Sequence, residues 1–261
     1  MNGIRSSGEC DACKETLTLK SPVLSALFIM VSPLALTAPA HAQDAAPAPA
    51  AAAPAATPIT PEQVAAFNKA VTDFTAGQQA QQTGDNAGAA AKYDAALPAI
   101  RAAVQAQPGN IDNVNFLANA LYANAAAKSA LNKPDEVVAL FEESAPHWRK
   151  VVEAKPADAA SRNILAGILV QMGNGKLSKQ DKAGADPLYA EAIALARKSV
   201  AENAADPAAN NLLLSGLIGA SQTSTDAKLK EEAVAMSKKM LADGSVDAVN
   251  KPSAQALTGT K

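Results

Sequence analysis

The sequence predicts an all-α solenoid of about four antiparallel helical hairpins, and three observations carry that prediction. The first is a set of ladders at one interval. Tyr93, Phe141 and Tyr189 lie 48 residues apart, and so do Arg101, Arg149 and Arg197, Asn115, Asn163 and Asn211, and Val104, Val152 and Val200. A unit of this length is one supersecondary element that cannot bury its apolar face alone and has to stack on its neighbours. The second is period. Ala89, Tyr93, Ala96, Ile100 and Val104 recur every three or four residues, Val137, Phe141, Ala145, Trp148 and Val152 do so one repeat later, and Tyr189, Ile193, Ala196 and Val200 in the third. That spacing makes one helical stripe per segment. The third is composition: alanine, the strongest helix former, is abundant, while aromatics are 3% of the chain.

Taken from the N-terminus, residues 1–42 read as a cleaved secretory signal. Arg5, Lys14 and Lys20 precede an apolar run from Pro22 to Leu36, which ends in Ala40-His41-Ala42. A signal peptidase accepts small side chains in that small–x–small pattern, so cleavage is expected between Ala42 and Gln43. The run is shorter than the roughly 20 residues that span a bilayer as a helix, and Pro33 weakens a permanent anchor. The expectation is an exported bacterial protein, periplasmic or secreted, with no stable membrane insertion after cleavage. Both cysteines, Cys10 and Cys13, fall in the segment to be removed. Their spacing suits a redox or metal pair, but no second ligand pair accompanies them. Residues 43–60 are Ala/Pro-rich and lack the apolar variety to build a core, so they read as a tether. The chain from Gln43 carries 20 basic and 22 acidic residues without basic blocks, which argues against nucleic acid or an anionic membrane as partner.

Residues 61–243 hold the repeats, and 244–261 read as a flexible tail. First helices are expected to begin near Pro61, Ile111, Ala159 and Ala208, and second helices near Asn86, Pro134, Asp186 and Asp226. Gly84-Asp85-Asn86, Asn132-Lys133-Pro134-Asp135 and Gly173-Asn174-Gly175 supply turns within units. Pro108-Gly109-Asn110, Pro156-Ala157-Asp158 and Asp206-Pro207 combine helix stop with N-cap chemistry between units. The last unit is shorter: Ala192-Ile193-Ala194-Leu195 matches Ala233-Val234-Ala235-Met236 at an interval of 41, placing Lys238 where the arginines stood. Pro98 and Pro146, again 48 apart, fall inside second helices, while Ala194 holds the third place. A proline inside a helix loses one backbone bond and clashes with the preceding turn, so the first two second helices are expected to kink or restart.

Gly84-Asp85, Ala89, Tyr93, Ala96 and Pro108 follow the order of small, turn, aromatic and exit residues that marks a tetratricopeptide repeat. Phe116-Leu117-Ala118-Asn119-Ala120-Leu121-Tyr122 is similar to that family's first helix. The resemblance covers about residues 61–243 and departs in length, since the family's unit has about 34 residues. Repeats of the HEAT type are closer in length and are the rival; the Gly-Asp turn and Tyr/Ala spacing favour the tetratricopeptide-like superhelix. The resemblance implies a concave groove lined by first helices, in which an extended protein segment binds.

No set of residues converges for catalysis, and neither a metal site nor a cofactor is expected. His147 is the one histidine after Gln43. His147, Trp148 and Arg149 are consecutive and point about 100° apart on a helix. Trp148 falls on the apolar stripe, where core packing outweighs a stacking platform. Gly173-Asn174-Gly175-Lys176 lacks phosphate-loop spacing and reads as a plain loop. The arginine ladder either pairs with acids on neighbouring helices or forms a track for acidic peptides; a second-helix position, convex in the family, favours pairing. Asparagine is a poor mid-helix residue, so Asn115, Asn163 and Asn211 call for an explanation. Either they join adjacent units or, as the resemblance implies, they bond a peptide backbone in the groove. The expected function is a non-enzymatic interaction or scaffolding module for a protein or peptide partner. The alternative is a periplasmic accessory protein that binds a small molecule or glycan between helices.

Overall fold

The structure, a computed structural model, describes residues 60–259, which are all-helical. The expected signal with Ala42 and Gln43, the Cys10–Cys13 pair and the tether as far as Ile59 lie outside the described residues. Among those described, nine helices follow in order: α1 (Pro61–Gln82), α2 (Asn86–Ala106), α3 (Ile111–Ala130), α4 (Pro134–Ala154), α5 (Ala159–Ser178), α6 (Lys182–Glu202), α7 (Pro207–Thr223), α8 (Ala227–Asp243) and α9 (Lys251–Thr258). Each helix packs on the next along the chain, and α1 also touches α3 and α5 touches α7. The result is a stack of hairpins with first helices in one layer and second helices in the other.

The 48-residue register is kept at the helix starts. Second helices begin at Asn86, Pro134 and Lys182, and first helices at Ile111, Ala159 and Pro207. The caps repeat with them. Asn110, Asp158 and Asp206 each accept a backbone N–H in the first turn of a first helix. Asp85 and Asp181 do the same for α2 and α6, from Gly88 at 2.8 Å and Gly184 at 2.9 Å. The third second helix therefore starts at Lys182 and not at Asp186.

That shift corrects the reading of Gly173-Asn174-Gly175, which lies inside α5 and not in a turn. The turn is made one step later, at Gln180. Gly84 (φ 82°), Asn132 (φ 55°) and Gln180 (φ 61°) all take the left-handed conformation, at 48-residue spacing. Only the first is a glycine, so composition hides the third. Gly173 serves packing instead. A Cβ there would meet the Tyr189 ring at 2.7 Å, and one at Gly77 would meet Tyr93 at 2.6 Å.

The prolines do not break their helices. Neither α2 nor α4 restarts; both run unbroken through Pro98 and Pro146. Both prolines and the residues four before them, Asp94 and Glu142, are exposed. The freed carbonyls thus lie on the water side, where solvent replaces the lost bond.

The core follows the stripes. Tyr93, Ile100, Trp148 and Tyr189 are fully buried, and one apolar cluster runs from Ala70 to Ala192. Two smaller clusters continue it to the C-terminal end. A polar group spans three helices: Asp94 of α2 accepts from Asn124 and Lys128 of α3, and Lys128 also meets Glu136 of α4 at 2.7 Å. Burial works against the charge of Lys128, yet its bonds to Asp94 and Glu136 outweigh that and raise its pKa.

Residues 244–259 are not a loose tail. Gly244 closes α8 in the left-handed conformation, and α9 then packs Ala254, fully buried, against Leu214, Ile218 and Met240. A terminal unit whose outer apolar face would otherwise meet water needs such a cover.

Candidate functional site

The arginine and asparagine ladders have different fates. In the arginine ladder, Arg101 of α2 donates from Nε and Nη2 to Glu143 of α4 at 2.7 and 2.8 Å. Arg149 does the same to Glu191 of α6 at 2.8 and 2.7 Å, and Arg197 reaches Glu232 of α8 at 2.5 Å. These forks tie each second helix to the next. The glutamates keep the chain's own intervals, 48 and then 41 residues, a signal present in the sequence and not extracted from it. The Arg101 and Arg149 guanidiniums are held further into the charged form by their glutamates, against the pull of partial burial. The second-helix layer thus spends its arginines internally.

The asparagine position runs through all four first helices once the register is extended back, because Phe67 stands 48 residues before Asn115. At three of the four units this position looks toward the next. Phe67 packs edge-on against Phe116 of α3, ring centres 5.7 Å apart. Asn163 donates to Asp206, the cap of α7, at 3.4 Å. Asn211 is buried; its Nδ2 donates to the Pro207 carbonyl at 2.9 Å and the Ser245 carbonyl at 3.0 Å, and its Oδ1 accepts from Asp247 N at 2.9 Å. Asn211 therefore joins α7 to the segment that leads into α9.

Asn115 differs. It is half-buried, and its Oδ1 accepts from Asn119 Nδ2 at 3.0 Å one turn on. The same Nδ2 reaches the Asn115 carbonyl at 2.9 Å. Asn115 Nδ2 and Asn119 Oδ1 take no bond among the described residues. One free donor and one free acceptor thus stand side by side on α3, the pattern that a peptide group complements. Asn119 went unnoticed in the sequence because it is not repeated: Gly167 and Ser215 occupy its register positions.

Trp148 is fully buried and belongs to the core, at the register position held by Ile100 and Ala196 in the neighbouring units. His147 is half-buried, and burial together with Lys150 lowers its pKa while Glu143 opposes. Among the described residues, no three His, Cys, Asp or Glu gather as metal ligands, and no helix is long and apolar enough to cross a membrane.

A small apolar groove of about 80 Å³, partly open to solvent, lies where the start of α1, the end of α2 and the start of α3 meet. Val64, Phe67, Ala99 and Ala103 form its walls, with Gln63 and Gln107 at the rim. No family model matches the chain, and no curated protein matches it.

Proposed function

We propose that the protein is an exported, non-enzymatic interaction module that binds an extended protein segment along its first-helix layer, as a tetratricopeptide-like scaffold would. The observation that carries this reading is the contrast between the layers. The arginines of the second helices are consumed in forks to the next unit, whereas Asn115 and Asn119 of α3 leave a donor and an acceptor free on a half-buried face. A peptide backbone satisfies both at once, and amides cost little to desolvate compared with charges. Asn163 and Asn211 then act as joints between units, with Asn115 as the residue that meets the ligand.

Selection from a peptide library with the chain beginning at Gln43 tests the reading. A linear motif is the expected outcome. Asn115→Ala is expected to weaken the selected peptide by about 0.5–1.5 kcal/mol, with the melting temperature unchanged or slightly raised because alanine is the better helix former. A tight thermal shift with a metabolite or glycan, and no motif from the library, would favour the small-molecule reading instead.

Export is checked separately. The intact mass of the protein recovered from its native envelope should correspond to a chain starting at Gln43, and retention of Cys10 and Cys13 would remove the export step from the proposal.

A further inference from the structure

The joints between units are not built alike. Between the first and second units, the Phe116 ring of α3 meets both Phe67 and Phe74 of α1, ring centres 5.7 and 5.1 Å away, and Asp94 of α2 accepts from Asn124 and Lys128 of α3. Between the third and fourth units the backbones themselves close up. A Cβ added at Gly167 of α5 would lie 3.5 Å from Leu212 of α7, and one at Gly216 or Gly219 of α7 would collide with Ile193 or Tyr189 of α6. Polar bonds back this packing: Asn163 of α5 donates to Asp206, the cap of α7, and Thr223 of α7 donates to Asp186 of α6 at 2.9 Å.

The joint between the second and third units lacks these ties in the first-helix layer. Among the described residues, no hydrogen bond or ion pair joins α3 to α5, and the two helices do not pair as α5 pairs with α7. α4 also meets α5 less extensively than α2 meets α3 or α6 meets α7. The register supplies a reason. Phe116, Ile164 and Leu212 share one place, and Val71, Asn119 and Gly167 share another. Where Gly167 admits Leu212, the register sets Asn119 toward Ile164, and its amide is bonded back to Asn115 on its own helix. Closer approach would strip water from an amide that finds no partner on an isoleucine, which is unfavourable. The second-helix layer does hold this joint: Arg149 forks to Glu191, and the apolar cluster continues from α4 into α5.

We infer that the stack is hinged here. α1–α4 and α5–α9 move as two blocks about the side held by Arg149 and Glu191, and the gap between α3 and α5 widens and narrows. In a stack whose stability is a sum of neighbour contacts, the joint with the fewest ties opens first. Asn115 and Asn119 lie on the moving edge, so the hinge sets the width of the face that carries their free groups. The hinge stands whether or not that face receives a peptide.

Paired spin labels on the full chain carrying Cys10→Ser and Cys13→Ser test it. Ala130→Cys with Ser178→Cys spans α3 and α5 at exposed positions 48 residues apart. Gln82→Cys with Ala130→Cys spans α1 and α3 in the same way, and Ala160→Cys with Ala208→Cys spans α5 and α7. The α3–α5 distance distribution is expected to be at least about twofold broader than either of the others. Asn119→Gly, which copies Gly167, should narrow it and leave the other two unmoved. Asn119→Ala, which keeps the helix former, should narrow it as well. An α3–α5 distribution no broader than the others overturns the hinge, and so does a broad one that neither substitution narrows.

Discussion

Trp148→Ala is expected to destabilise the helical domain by about 3–5 kcal/mol, the usual cost of emptying a large buried aromatic site. The indole is fully buried in α4, and it fills a place that Ile100 and Ala196 fill with less volume in the adjacent units. The stack around it is therefore shaped to this one side chain, and alanine leaves a cavity that α3 and α5 cannot close without breaking register. For a domain of this length, that energy corresponds to a fall in melting temperature of about 10 °C or more. Trp148→Phe separates volume from polarity. Trp148 Nε1 has no hydrogen-bond partner among the described residues, so phenylalanine removes an unsatisfied buried donor while keeping most of the packing. It should cost less than half as much as alanine. Thermal unfolding followed by circular dichroism checks both, and equal losses for the two variants would contradict the packing account.

Asn211→Ala is expected to cost on the order of 2 kcal/mol, because it removes a buried amide and strips the partner from the half-buried Asp247 N–H. The amide holds the Ser245 carbonyl and the Asp247 N–H, and the next polar contact along is Ser215 Oγ to Asn250 Oδ1 at 2.6 Å. Without it, the approach to α9 loses its attachment to α7. Hydrogen exchange in α9 should rise first, since terminal elements open below the global free energy. Asn163→Ala, with one long bond to Asp206, should cost less, and Asn115→Ala close to nothing. A graded series of this kind is what one ladder with unequal local roles requires. Three equal losses would make all three structural joints, and three neutral substitutions would refute the joint at Asn211.

Much of this organisation is legible in the chain. The 48-residue interval appears in side chains that pack (Tyr93, Phe141 and Tyr189) and in side chains that pair (Arg101, Arg149 and Arg197), so both the hairpin layers and the arginine forks follow from it. Caps and prolines place five of the eight helices of the four hairpins, α1 to α5, at their expected first residues, and α7 and α8 one residue away; α6 is the exception, starting at Lys182. There the sequence misleads for a physical reason. Gly173 and Gly175 look like turn formers, but Gly173 is small because Tyr189 comes close to it, and the turn itself rests on Gln180 in a conformation glutamine seldom adopts. The prolines do not restart their helices, because their cost depends on which face they occupy, and both face water. The roles of Asn211 and α9 depend on contacts 34 to 39 residues apart that no local pattern announces. The free donor and acceptor at Asn115 and Asn119 become visible only when every other bond on α3 is assigned.

In the function proposed above, the first-helix layer receives an extended segment while the second-helix layer holds the stack in register. Hydrogen exchange of the protein, alone and saturated with the peptide selected by it, tests this most directly. Protection is expected in α3 around Asn115 and Asn119 and on the adjoining first helices, with α4 and α6 around Arg149 and Glu191 unchanged. Protection centred on the arginine–glutamate forks, with α3 unaffected, would contradict it.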